Sequence, residues 1–425
     1  MTGSGVASPV GCAPRPPRRG SPTSHTAGLS GRAICLYRSR GVAHSLKPVH
    51  VGDILVIERA GLGQLIENLG AGGTRTLGPV VRDGAIVPGE IHGVADLPAG
   101  YHDEQAPGSY RLFRDDGDEV FGWAVGPGSW KAELFPPTQV IWRATLEDGR
   151  FVPTEPPMDE SVVAILGGRP CELAALDVLD RVLGAKSVDP RYAARRRRLF
   201  IVAVECGTPA GTCFCTSMGT GPGTEAGFDL ALTELGDGQA TRFVVRVGTP
   251  EGADALAGVE HRPATEEDRR VRRDVLAASI DKIHRTLDTQ GLPELFERNL
   301  EHPRWDEVAE RCLSCGNCTL VCPTCFCSDI SDVSDLSGGL ERRAEWSSCF
   351  NLDHSYLHGA AVRPAIRSRY RQWLTHKLGT WWDQFGTSGC VGCGRCIAWC
   401  PVGIDLTEEA AAIRQGVRAS RAGPP

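Results

Sequence analysis

Apolar positions follow several different rhythms along the chain, and each rhythm predicts a different kind of element. From about residue 49 to 150, short apolar runs alternate with turn signals such as Arg82-Asp83-Gly84, Asp115-Asp116-Gly117 and Glu147-Asp148-Gly149. That predicts a largely β segment with one early helix over 63–69. Residues 161–166 form an apolar run suited to a buried strand, 167–170 read as a loop, and Leu173, Leu176, Leu179 and Leu183 recur at helical spacing over 171–183. Two more buried-strand runs follow, 199–204 and 243–247. Strand, helix and strand in succession predict an α/β core.

Two further stretches carry the 3.6-residue period. A long helix is expected over 265–288, with Thr265 and Asp268 as a capping box and Val271, Val275, Ile283 and Leu287 on one face. A second starts near Pro364, with Ile366, Tyr370, Trp373, Leu374, Leu378, Trp381, Trp382 and Phe385 as its apolar stripe. Large side chains at these spacings are what a buried helix face needs, so packing explains them better than an electron relay does.

Residues 1–45 have no such rhythm. They are rich in Gly, Pro, Ser and Arg, which predicts a disordered leader or a start codon placed too far upstream. Arg18-Arg19 hints at a twin-arginine signal, but no apolar stretch of the required length follows, and no run is long enough to span a membrane. A cytoplasmic protein is therefore expected. The net charge of -6 gives no reason to expect nucleic acid, and the run Arg195 to Arg198 reads as a solvated strand entrance.

The chain has 17 cysteines, an odd number clustered at ligand spacings, which suits metal ligation in a reducing compartment better than a disulfide framework. Eight fall into two copies of one pattern, Cys312-x2-Cys315-x2-Cys318-x3-Cys322-Pro323 and Cys390-x2-Cys393-x2-Cys396-x3-Cys400-Pro401. This is the thiolate pattern of a two-cluster bacterial ferredoxin, in which the fourth cysteine of each motif ligates the other cluster. Cys312, Cys315, Cys318 and Cys400 are thus expected to hold one 4Fe-4S cluster, and Cys390, Cys393, Cys396 and Cys322 the second. Gly316, Gly392 and Gly394 keep the loops open to close backbone approach. Structural zinc also uses Cys-x2-Cys pairs, but it needs only four ligands and spaces its pairs farther apart.

Two more thiol groups lie outside these motifs. Cys171 is in the first turn of an expected helix, and Cys206, Cys213 and Cys215 follow a buried strand; in a parallel sheet these points share an edge. Two readings stay open, a further iron-sulfur cluster or buried thiols without metal. Cys325, Cys327 and Cys349 make a group of three that needs a fourth ligand, with His354 or a middle-segment cysteine as the options. Gly219 to Gly223 is a poor phosphate cradle because no strand leads into it, and no nucleotide fingerprint or Ser-His-Asp pattern stands out.

The chain is then expected to be α+β. A leader over 1–45 precedes a mixed α/β docking domain over 46–300, which offers the further cluster site. A largely helical, two-cluster ferredoxin-like domain over 301–425 completes it.

The combination of Arg169-Pro170-Cys171-Glu172, Cys213-Phe214-Cys215-Thr216-Ser217-Met218, the span from Cys312 to Cys327, Trp346 to Cys349, and Cys390 to Pro401 is more specific than the ferredoxin motifs alone. On these residues the chain resembles the β subunit of NAD(P)-linked nickel-iron hydrogenases, or sulfhydrogenases, and more distantly the iron-sulfur A subunit of anaerobic sulfite reductase. The resemblance covers about residues 50–410. It implies an electron relay in a hetero-oligomer, with a sister subunit carrying flavin and binding NAD(P), and a further pair carrying the nickel site. The matching electron-transfer subunit of an anaerobic sulfite or sulfur reductase, and a stand-alone oxidoreductase with its substrate site at the middle cysteines, are the competing classes.

Overall fold

The computed structural model describes residues 48–185, 188–236, 241–336 and 338–422; the expected leader, with Arg18-Arg19, lies outside them. Among the described residues the first elements are β1 (Ile54–Glu58), α1 (Arg59–Gly70), and the hairpin of β2 (Arg75–Arg82) and β3 (Ala85–Glu90). A second hairpin, β4 (Tyr101–Ala106) and β5 (Ser109–Arg114), is followed by a third, β6 (Thr138–Glu147) and β7 (Arg150–Thr154). Next come β8 (Val163–Gly168), α2 (Pro170–Leu183), α3 (Pro190–Arg197) and β9 (Leu199–Val204), then β10 (Leu230–Leu235), β11 (Arg242–Val247) and the short β12 (Arg262–Pro263).

Eight of these strands form one sheet in the order β12-β1-β11-β10-β9-β8-β2-β3. The central neighbours β2, β8, β9 and β10 run parallel, and the outer pairs are antiparallel. Every residue of β9 is buried, as expected of a strand covered on both faces. Its side chains alternate between two cores. Phe200, Val202 and Val204 meet Leu62, Leu65, Ile66 and Leu69 of α1, while Leu199 and Ile201 meet Leu173, Leu176 and Leu179 of α2. Each such leucine contributes about 1.5–3 kcal/mol by leaving water. The strand-helix-strand expectation is met, although the early helix begins at Arg59, ahead of 63–69.

The long helix α4 (Glu266–Lys282) has the expected cap: Thr265 Oγ1 accepts from Asp268 N–H, and the Asp268 carboxylate accepts from Thr265 N–H. It stops six residues before the expected end. Ile283 and Leu287 are still buried, but in extended backbone, where Ile283 reaches Cys171 and Cys215 and Leu287 reaches Phe214. The arginine run also differs from expectation. It forms the last turn of α3, and Arg196 is buried against Asp180 at 3.1 Å.

Beyond α4 come α5 (Arg304–Arg311), the one-turn α6 (Asn317–Leu320), and the hairpin β13 (Ser328–Ser334) and β14 (Leu340–Trp346). This hairpin joins the third one in a four-stranded sheet, β13-β14-β6-β7. The expected aromatic helix is α7 (Ile366–Thr375), which continues through a wider turn at His376–Thr380 into Trp381–Phe385. After it come the one-turn α8 (Arg395–Ala398) and α9 (Leu406–Ala422). Tyr370, Trp373, Leu374 and Leu378 fill the core behind the cysteine loops with Trp305, Phe350 and Ile397, whereas Trp382 is 48% exposed.

Candidate iron-sulfur centre

The two cysteine loops are built alike. In each, a glycine with left-handed backbone, Gly316 (φ 78°) or Gly394 (φ 76°), starts a single helical turn that carries the third cysteine, and the fourth follows two residues after its end. Backbone amides face sulfur: Ser314 N–H donates to Cys312 Sγ at 3.4 Å, Gly392 N–H to Cys390 Sγ at 3.4 Å and Ile404 N–H to Cys400 Sγ at 3.3 Å. Such bonds stabilise a thiolate and tune whatever it ligates.

Cys400 lines a pocket together with Cys312, Cys315 and Cys318 of the first loop and Cys396 of its own, walled by Phe350, Tyr370, Trp373 and Ile404. Cys322 is a close electrostatic neighbour of Cys390 and Cys396. Cys393, the remaining member of that set, lies beside Cys390. Burial pushes the Cys318, Cys390 and Cys396 thiols up, Cys390 to about 12. Among the described residues no three His, Cys, Asp or Glu side chains close on one point; the first-loop thiols and Cys400 stand around a pocket. Thiolate donors, open glycine loops, sulfur-facing amides and apolar walls fit iron-sulfur clusters.

Lys377 adds a feature that sequence reasoning missed. Its Nζ is 3.2 Å from Cys322 Sγ and 3.2 Å from Thr324 Oγ1, and donates to Gly389 O at 3.0 Å. The signal was present in the sequence, because position 377 falls on the apolar stripe between Trp373 and Trp381. Arg395, inside the second loop, was missed too. It donates to Gly126 O and Gly128 O and pairs with Glu172 of α2.

The parallel order of β8 and β9 brings the loops after them to one sheet edge, as expected. Cys206, Cys213 and Cys215 are mutual neighbours there, and Cys171 is nearest to Cys393 and Cys215. The 213–215 loop is bonded to the second ferredoxin loop: Phe214 N–H donates to Gly392 O at 2.8 Å, and Thr220 Oγ1 to Val391 O at 2.6 Å. Gly221 packs on Cys215 Sγ, so the glycine-rich stretch serves the cysteine and not a phosphate.

In the third group Cys325 is an electrostatic neighbour of Cys322, and Cys327 of Cys349 and His354. Of the two options for a fourth partner, His354 is the one whose pKa is raised by Cys327 beside it. Among the described cysteines Cys315 alone is exposed.

This arrangement defines an iron-sulfur protein of the electron-transfer kind, and the 4Fe-4S dicluster domain family matches residues 311–404. The chain is 32% identical over 273 residues to the sulfhydrogenase 2 subunit beta of Pyrococcus furiosus, a match covering 64% of this chain and 76% of the relative. The chain belongs to the sulfhydrogenase β-subunit family. No solved structure matches it. No described helix is long and apolar enough to cross a membrane.

Proposed function

We propose that Cys312, Cys315, Cys318 and Cys400 hold one 4Fe-4S cluster, that Cys390, Cys393, Cys396 and Cys322 hold the second, and that the chain passes single electrons through them. The observation that carries this is Cys400 standing in the cavity of the first loop. In the proposed assembly, a cytoplasmic hetero-oligomer, a flavin and NAD(P)-binding subunit lies at one end of the relay and a nickel-iron hydrogenase module at the other. The kinship with a sulfhydrogenase subunit supports this placing.

The clusters supply the one-electron chemistry; this chain's residues position and tune them. The sulfur-facing amides of Ser314, Gly392 and Ile404 favour the charged ligands. Tyr370, Trp373 and Phe350 keep water from the first cavity. Cys171, Cys206, Cys213 and Cys215, and separately Cys325, Cys327 and Cys349 with His354, are the two further donor sets.

The test is oxygen-free purification of the native assembly with metal, sulfide and subunit analysis. About eight irons per chain assign the two quartets alone, and about twelve assign one further set. Loss of about four irons on Cys213→Ser then picks the middle set. A nickel-containing partner supports the hydrogenase reading; a sirohaem partner replaces it with sulfite reduction. Turnover of a substrate by the isolated chain overturns both.

A further inference from the structure

Lys377 is 2% exposed, and among the described residues no carboxylate pairs with it. Its surroundings are a hydroxyl, a carbonyl, the Trp381 ring at 5.5 Å and the Cys322 sulfur. Other buried cations are provided for differently. Arg395 has the Glu172 carboxylate, Arg169 donates to the carbonyls of Phe121, Trp123 and Glu205, and Lys131 donates to Cys325 O and lies 3.7 Å above the Trp346 ring. Taking an ammonium out of water is costly, and such a group loses its proton or is kept charged by an anion beside it. The anion within reach is the Cys322 thiolate with whatever negative charge its quartet holds.

The contact is also selective. Among the described residues Cys322 is the thiol to which the Lys377 ammonium donates, at 3.2 Å, and Cys322 belongs to the second quartet.

We propose that Lys377 is a positioning residue for electron transfer: its fixed positive charge stabilises the reduced state of the centre ligated by Cys322 and so raises the reduction potential of that centre selectively. Uptake of one electron adds one negative charge beside Nζ; no covalent bond changes and no proton has to move. The proposal rests on the assignment of the eight cysteines given above.

The experiment is a redox titration of the full chain, purified without oxygen and followed by electron paramagnetic resonance, for wild type, Lys377→Met, Lys377→Gln and Lys377→Arg. The signal of the Cys322 centre is identified as the one that Cys390→Ser alters. In the Met and Gln variants that signal should titrate at least tenfold harder to reduce, a shift of about 59 mV for one electron. The other signal should stay in place, and Arg should restore most of the shift. Loss of one cluster from both neutral variants but not from the Arg variant also supports the role of charge. An unmoved potential at full iron content overturns the proposal, and so does loss of the cluster from all three variants. A wild type with no clusters would instead overturn the ligand assignment itself.

Discussion

Arg395, in the turn between Cys393 and Cys396, forms a buried ion pair with Glu172 in the first turn of α2, with Nη2 2.6 Å from Oε1 and side-chain exposures of 2% and 7%. The second cysteine loop is thereby fastened to the large sheet, two residues from Cys393 on one side and one residue from Cys171 on the other. Breaking such a pair from one side leaves an uncompensated charge in a dry site, a loss of about 3–5 kcal/mol. Arg395→Met should therefore lower the denaturation midpoint sharply, and Glu172→Gln should do the same. The double variant should recover part of the loss, which a double-mutant cycle measures; purely additive losses would contradict coupling.

Glycine 392 is constrained twice. Its φ is 65°, and a Cβ there would stand 2.7 Å from Cys215 N and Cα and from Phe214 C. Left-handed backbone alone costs a non-glycine residue about 1–3 kcal/mol, and the clash adds to it. Gly392→Ala should push the 213–215 loop off the second ferredoxin loop. We expect faster loss of iron from one cluster, read by the decay of visible absorbance in the presence of a chelator, with the other cluster decaying at the wild-type rate.

Crosswise ligation makes a pairing prediction. Cys400→Ser should alter the same paramagnetic signal as Cys312→Ser, and Cys322→Ser the same one as Cys390→Ser. If each fourth cysteine instead pairs with its own loop, the shared cavity of Cys400 and Cys312 has been misread.

Glu234 supplies a pH dependence away from the clusters. Its carboxylate accepts from Val120 N–H at 2.6 Å and Phe121 N–H at 2.7 Å, yet burial outweighs both bonds and raises its pKa to about 7. The unfolded chain releases this proton near the ordinary glutamate value of 4.5, so between that pH and about 7 the folded state binds more protons. Stability from this group is full below that window and falls as pH rises through it, at up to about 1.4 kcal/mol per pH unit. Glu234→Gln should flatten the slope of Tm against pH between 5 and 7, whatever its constant offset; an unchanged slope would assign the titration elsewhere.

The readable parts of this chain were those in which a short stretch carries its own reason. β9 was placed to the residue because an unbroken apolar run allows little else, and the capping box of α4 was read from two residues three apart. Spacing and cluster geometry likewise carry the proposal that Cys322 and Cys400 are exchanged between the two quartets. The end of α4 was not readable. Ile283 and Leu287 continue the helical period, and only their partners Cys171, Cys215 and Phe214, distant in sequence, reveal that the chain straightens to reach them. For the same reason Arg395 looked like an ordinary loop residue: Glu172 is 223 positions away. Lys377 was hidden differently, as a polar residue on a stripe being scanned for apolar ones.

The second cysteine loop is walled by residues far upstream of it. Gly108 N–H donates to Ile397 O at 3.0 Å, Thr220 Oγ1 to Val391 O and Phe214 N–H to Gly392 O. A graft of residues 301–425 into a foreign host would carry all eight thiols but arrive with one side of its cradle missing. The electron wire is therefore not a transplantable cartridge: a working copy has to be cut out with the sheet against which it was moulded.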